Sequence, residues 1–295
     1  MLSVIIPNFN GKHLLDQFLP NNLAILDTLG HPYEVILVDD ASTDGGYTTD
    51  HPKVRQIQNP VNSGFSITAN AGAAAAQYPI LLFLNSDIKI ETLDFDPILA
   101  YLSQPDVFSV TPKIINQRYG KIESITVTQF AGGFLHGDVM DAKPEDLIEG
   151  RSIAWGCGGG VFIKKSVFDA FKGFNPIYSP FYFEDLDLGY RGWQQNLKSL
   201  YTNAATFLHC HQGTIGSHYT KAEVDAIYER NKLLFHWQNL RGLRRWSHHL
   251  ISLALFILTG NIQQIRAIKA ALKTFYAESN PNLPQAILDK HPKGL

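Results

Sequence analysis

The chain has 295 residues, 45% of them hydrophobic and 18% charged. It is long and apolar enough to bury one large core or two small ones, which excludes intrinsic disorder. Its 25 Lys and Arg against 27 Asp and Glu give a net charge of −2, which argues against nucleic acid bound along a whole face.

Residues 2–6 are an apolar run ended by Pro7, a strand rather than a leader peptide because no basic region precedes them. Residues 12–29 read as a helix broken or kinked at Pro20. Strands are expected at 33–38, 54–57 and 80–84, with a helix of small residues over 66–77. The run at 80–84 is apolar throughout, as in a strand covered on both faces. This alternation predicts a parallel sheet flanked by helices. It weakens from about Val107, and residues 114–150 are rich in turn formers, with an extended piece near 122–128. A strand at 160–163, a short helix at 166–171 and a helix at 184–195 follow. The last places Leu186, Tyr190, Trp193 and Leu197 on one face. Short strands at 200–201 and 206–208 close the domain. Helix is then expected from 220 to about 277, before a loose tail marked by Pro281 and Pro284. Cys157 and Cys210 lie far apart without Cys-x-x-Cys spacing, against a disulfide framework or thiolate zinc site.

In parallel sheets, ligands sit beyond the carboxyl ends of the strands. There the chain places Pro7-Asn8-Phe9-Asn10-Gly11, Asp39-Asp40-Ala41-Ser42-Thr43-Asp44 and Asn85-Ser86-Asp87. Each alone is explained by caps and turns, whereas three polar strand ends on one rim point to a site. Two carboxylate-bearing loops suit a hard divalent cation completed by substrate phosphates. No Gly-x-Gly-x-x-Gly follows the first strand and no P-loop is present, which removes the usual dinucleotide and P-loop readings.

Four stretches resemble the donor half of family 2 glycosyltransferases: Val4-Ile5-Ile6-Pro7-Asn8-Phe9-Asn10; Val38-Asp39-Asp40-Ala41-Ser42-Thr43-Asp44; Asn62-Ser63-Gly64-Phe65 with Asn70 and Gly72; and Leu84-Asn85-Ser86-Asp87. Phe183-Glu184-Asp185-Leu186-Asp187-Leu188 with Arg191 resembles the acceptor-side acid motif of that family. The resemblance covers roughly residues 1–239 and is nearest to the bacterial rhamnosyltransferase-like branch. It implies an α/β GT-A fold, a mostly parallel central sheet with helices on both faces. The domain would span 1–220, with a donor half about 1–112 and an acceptor half about 113–220, before a helical C-terminal extension over 221–295.

The implied activity is inverting transfer of a hexosyl or deoxyhexosyl group from a UDP- or dTDP-sugar. The acceptor would be a hydroxyl of a growing glycan or lipid-linked saccharide, in cytoplasmic synthesis of envelope polysaccharide. By resemblance, Asp40 would accept from a uracil or thymine N–H and Pro7 would line the base pocket. Asn10, Asn62, Gly64, Asn70 and Asn85 would complete the nucleotide-sugar site. Asp87 would hold Mg²⁺ or Mn²⁺ on the donor diphosphate. Asn85 stands where the family's Asp-x-Asp motif begins, which removes one charge from that metal site.

Asp185 would be the catalytic base, since one base opposite the leaving group gives inversion without a carboxylate nucleophile. The alternative is that Glu184, Asp185 and Asp187 cap a helix, with Asp187 and Arg191 forming an i,i+4 pair. His209, which with His211 flanks Cys210, is either a metal ligand or a strand-end histidine satisfied by backbone. Trp155-Gly156-Cys157-Gly158-Gly159-Gly160 resembles the flexible loop ahead of the acceptor site. Trp155, Gly156 and Glu184 would meet the acceptor, with Trp155 either stacking on a sugar or filling the core.

Two rival functions remain. A nucleotidyltransferase would want a basic, Gly-rich phosphate loop, which residues 7–12 do not supply. A catalytically weak sugar-nucleotide-binding component of a polysaccharide assembly complex would not need Asp40, Asp87 and Asp185 together. In the tail, Arg241, Arg244, Arg245 and Trp246 precede the apolar run at 250–258, which is too short to span a bilayer. This pattern suits peripheral contact with a membrane, or a helix packed on the domain or on a second subunit.

Overall fold

A computed structural model describes residues 1–210, 216, 218–239 and 241–279. His211, Pro281 and Pro284 lie outside the described residues. In chain order the first elements are β1 (Leu2–Asn8), α1 (Lys12–Leu26), β2 (Tyr33–Asp39), β3 (Val54–Gln58) and α2 (Phe65–Ala75). Next come β4 (Ile80–Leu84), β5 (Ile88–Leu93), α3 (Phe95–Ser103) and β6 (Val107–Asn116). A hairpin of β7 (Thr126–Ala131) and β8 (Phe134–Val139) leads to β9 (Ser152–Ile153), β10 (Gly160–Lys164) and α4 (Lys165–Ala170). The remainder is α5 (Glu184–Gln194), β11 (Lys198–His209), α6 (Lys221–Asn239), α7 (Leu243–Leu258) and α8 (Ile262–Ser279).

The large sheet has the order β3-β2-β1-β4-β10-β6-β11-β5, with β9 paired onto β11. Strands β3, β2, β1, β4, β6 and β11 run one way, while β5, β9 and β10 run against them. Successive side chains of a strand face opposite sides. Leu2, Val4 and Ile6 therefore join a core with Leu15, Leu19 and Leu23 of α1 and Ile98 of α3. Ile5 points the other way, into a core with Ala69 and Ala73 of α2, Phe168 of α4 and Leu188 of α5. The fold is thus a mixed α/β sandwich, with helices on both faces of a mostly parallel sheet.

A third cluster joins Phe134 of the hairpin, Trp155, Phe183 and Leu186 to Leu233 and Leu234 of α6 and to Ala267 and Ala271 of α8. The C-terminal helices therefore share a core with the loop and helix that carry the acceptor-side acids. No described helix is long and apolar enough to cross a membrane.

Several elements differ from expectation. Helix α1 runs through Pro20 without a break; Pro20 is on its exposed side, where water can satisfy the carbonyl left without a partner. Residues 198–209 form one strand rather than two, with an irregularity between Thr202 and Thr206. Helix α5 buries only part of the anticipated stripe: Leu186 is buried, but Trp193 is 37% exposed and Leu197 lies beyond the helix end. Its inner side also includes Leu188, Gly189 and Gly192 with Asp187, and glycine lets the backbone lie close to Trp155 and Phe108.

Candidate active site

The donor-side residues converge where the parallel strands end. Asn10 follows β1 with φ 52° and ties three segments together. Its N–H donates to Ser42 Oγ at 2.8 Å, its Oδ1 accepts from Thr43 N at 2.7 Å, and its Nδ2 lies 3.4 Å from His218 Nε2. Pro7 is partly exposed beside it. The Asp40 side chain, at the end of β2, is buried and accepts from Asn59 Nδ2, Ser63 N and Gly64 N at 2.8–3.0 Å. Ser63 N is shared between the two oxygens, so each already accepts two bonds, and the shared bond is the one a further donor would displace. Asp40 thereby fixes the loop that carries Asn62 and Gly64 into α2. Gly64 has φ +85°, and a β-carbon there would sit 2.8 Å from Pro180 Cα. Asn70 is turned away from this rim: its Oδ1 accepts from Phe174 N and its Nδ2 donates to Phe174 O.

At the end of β4, Asn85 is partly exposed and Asp87 is 5% exposed. Pairing of β11 with β5 and β6 brings His209 opposite Ile88 and Asn116. His209 Nδ1 donates to Glu123 Oε2 at 2.7 Å, and its Nε2 lies 3.4 Å from Asp87 Oδ2. Burial opposes charge on His209, but Asp87 and Glu123 outweigh it and hold the imidazolium pKa up at about 9. Once that proton leaves, an imidazole lone pair and a carboxylate oxygen face each other, a nitrogen and oxygen donor pair suited to a divalent cation. Glu123 then orients the imidazole from behind, as carboxylates do for metal-ligating histidines. Glu123 carried no signal in the sequence beyond lying in an extended segment. Among the described residues no group of three or more His, Cys, Asp or Glu side chains surrounds one point. The donor set thus fits a cation that takes its remaining ligands from phosphate and water.

The acceptor-side acids open α5. Tyr182 and Phe183 ahead of it have φ of 72° and 81°, a conformation costly for side chains of their bulk. What holds them there comes from α6. The fully buried Asn231 amide donates to the carbonyls of Tyr178, Phe181 and Tyr182 at 2.7–2.9 Å, and Arg230 donates to that of Ser179.

Asp185 accepts from Leu186 N at 2.7 Å and from Gly158 N at 3.3 Å. Burial raises its pKa above the ordinary aspartate value, while bonds from Gly158, Leu186 and the Trp155 side chain pull it down. Glu184 is 7% exposed, its Oε2 has no hydrogen-bond partner among the described residues, and burial followed by the Asp185 charge drives its pKa well up. Asp187 serves packing: it accepts from Arg191 Nε at 2.8 Å and from Tyr178 and Asn239, while Arg191 also donates to the carbonyls of Phe171 and Gly173. The expected i,i+4 pair is present.

Between the two sides lies the glycine loop. Gly159 O accepts from Asn85 N at 2.9 Å, while the neighbouring Gly158 N donates to Asp185. Gly156 is partly exposed at the loop's start, where a β-carbon would meet Val161 at 2.4 Å. Trp155 presents no open face for a sugar. It is 7% exposed and packs beneath Gly137 of the hairpin and Gly189 of α5. Burial pushes the Cys157 thiol up to about 12, so it is no nucleophile at neutral pH.

Comparison with known proteins bears on the fold and the family. TuaG of Bacillus subtilis (strain 168), named as a teichuronic acid biosynthesis glycosyltransferase, is 30% identical over 95 residues. That alignment takes in 30% of this chain and 36% of TuaG, so the chain matches only about a third of that relative's length. The crystal structure of GalNAc-T7 with UDP, GalNAc and Mn²⁺ superposes with a TM-score of 0.59 at 17% identity, covering 80% of this chain and 47% of that one. The mannosyltransferase PcManGT from Pyrobaculum calidifontis, in complex with GDP-Man and Mn²⁺, gives 0.56 at 16% identity, covering 97% and 77%. S. aureus TarS 1-349 with UDP-GlcNAc gives 0.51 at 14% identity, covering 95% and 92%. These similarities show a shared GT-A fold. Residues 3–171 match the model of glycosyl transferase family 2, and the chain belongs to that family.

Proposed function

We propose that the protein is an inverting glycosyltransferase that moves a sugar from a UDP- or dTDP-linked donor to a hydroxyl of a saccharide or lipid-linked acceptor. The observation that carries this reading is the glycine loop bonded on one side to Asn85, at the diphosphate end of the sheet, and on the other to Asp185. Cation-side and base-side groups are thereby held in fixed relation, as displacement at a single carbon requires.

In this reading Pro7, Asn10, Asn62, Gly64 and Asp40 form the nucleotide pocket, with Asp40 reading the imide N–H of uracil or thymine in exchange for the bond it now shares with Ser63 N. Asn70 supports it indirectly, by pinning the turn at Phe174. Asp87 and His209 hold a divalent cation, Mg²⁺ or Mn²⁺, which when bound neutralises charge on the departing diphosphate. The structures of GalNAc-T7 with UDP and Mn²⁺ and of PcManGT with GDP-Man and Mn²⁺ support a divalent cation in this fold.

Asp185 takes the proton of the acceptor hydroxyl. Its raised pKa brings it toward the operating pH, where a general base is most effective. Glu184 and Gly156 border the acceptor, and Trp155 orients Asp185 from below. Asp185→Asn tests the assignment: UDP should still protect the protein against thermal unfolding, while transfer falls by about 10²–10⁴. Undiminished transfer in that variant would rule Asp185 out as the base.

A further inference from the structure

Helix α7 has an inner side that the fold explains and an outer side that it does not. Inward, His249 is fully buried, Ser252 donates to Gly132 O at 2.6 Å, and Leu253 and Phe256 pack into the third core cluster. Outward, the exposed positions between residues 250 and 258 are all apolar: Leu250, Ile251, Ala254, Leu255, Ile257 and Leu258. The five large ones are 52–80% exposed. Surface helices of globular proteins turn polar residues outward, and a contiguous apolar face marks a surface that docks on something.

The charges at one end of this face and on the following helix point to the partner. Residues 240–277 hold six Lys and Arg (Arg241, Arg244, Arg245, Arg266, Lys269 and Lys273) and no Asp or Glu, in a chain that is acidic by two charges. Where the tip of the β7–β8 hairpin meets the first turn of α7, a cleft of about 410 Å³ is lined by Phe130, Gly132, Arg244, Arg245 and His248. Arg245 stacks over the Phe130 ring at 5.5 Å. Arginine forks suit phosphate oxygens. A second copy docked on this face would set one basic rim against another, at a cost in like-charge repulsion. A bilayer with anionic headgroups takes both features together, phosphates at the arginines and acyl chains at the leucines. A helix too short to span, apolar on one side and basic at its end, lies in the plane of such an interface.

We propose that α7 and the hairpin tip dock the protein on an anionic lipid surface. Through the core cluster shared by Phe256, Phe134, Trp155 and Phe183, that contact is mechanically continuous with the loop and helix bearing Asp185. The inference does not depend on sugar transfer, because docking is read without turnover.

Flotation of the full chain should recover it with vesicles of equal parts phosphatidylglycerol and phosphatidylcholine at low salt. Recovery with phosphatidylcholine alone should be at least about tenfold weaker, and high salt should weaken the anionic interaction. The Arg244→Glu, Arg245→Glu double variant should lose about tenfold or more in vesicle affinity. The Leu250→Ser, Leu255→Ser, Leu258→Ser triple variant should lose binding while keeping the melting temperature, since all three side chains point outward. Three results would overturn the proposal: wild-type protein that floats with neither vesicle, charge-reversed protein that floats like wild type, or a triple variant that alters only self-association.

Discussion

On the donor side, Asp40 and Asp87 stand at the ends of strands whose cores are fully buried, each strand hydrogen-bonded to neighbours on both sides. On the acceptor side, Asp185 follows two residues with positive φ, and side-chain bonds from α6 to backbone carbonyls hold that approach in place. The placement of Asp40 and Asp87 is therefore mainly a property of the sheet. Acceptor geometry rests on a few replaceable side chains. Perturbation should separate the two.

The largest effect on stability is expected from acid. His236 is 1% exposed, its Nδ1–H donates to Lys232 O and its Nε2 accepts from Leu135 N at 2.6 Å, which pins the β7–β8 hairpin to α6. Burial, together with His249, Lys232 and His136 nearby, lowers its pKa to about 4, although the bond to Lys232 O acts the other way. The unfolded chain binds this proton near pH 6.5 and the folded chain only near 4, so stability is intact above that window and falls as pH drops through it. The loss reaches roughly 3 kcal/mol. Denaturant unfolding across pH 7 to 4 should show it, and His236→Gln should flatten the difference. A pH dependence identical in the two proteins would remove His236 from the account.

Next comes Asn231→Ala, which leaves three carbonyls, two of them buried, short of a donor. It should cost about 1–3 kcal/mol and lower transfer more than it lowers donor affinity, because the loop it releases leads to Asp185. An equal fall in both would erase the distinction between the two sides. On the donor side, Glu123→Gln removes the carboxylate behind His209 and should weaken Mn²⁺-dependent protection by UDP about 10–100-fold. A titration that matches wild type would detach His209 from the cation.

The same contrast explains what the sequence disclosed. The donor rim was legible because buried parallel strands read as unbroken apolar runs, as in residues 80–84, and polar residues then mark where each strand ends. Strand β6, between β10 and β11, was not. It carries Ser109 and Thr111, which are fully buried, and Ser109 is satisfied by a bond to Ser199 at 2.7 Å from 90 residues away. Its Pro112 is tolerated because the ladder to β11 is interrupted beside it. Asn231 and His236 look like ordinary polar positions on a helix, and only tertiary contact turns them into fastenings. Trp155, whose role sequence left open between sugar and core, is resolved toward the core by glycines 18 residues before it and 34 after it.

The Asn231 amide, holding three carbonyls of the loop before α5, also bears on inheritance. Glycosyltransferases could change acceptors most simply if the acceptor-side helices were exchangeable modules. Here the helix that would be exchanged carries the amide that keeps the loop ahead of Asp185 in its strained shape. A graft of α6 from another protein succeeds only if it brings an amide to the same place, or if residues 178–183 travel with it. Recombination across residue 220 is therefore disfavoured, and acceptor preference is expected to drift by substitution within the joined unit.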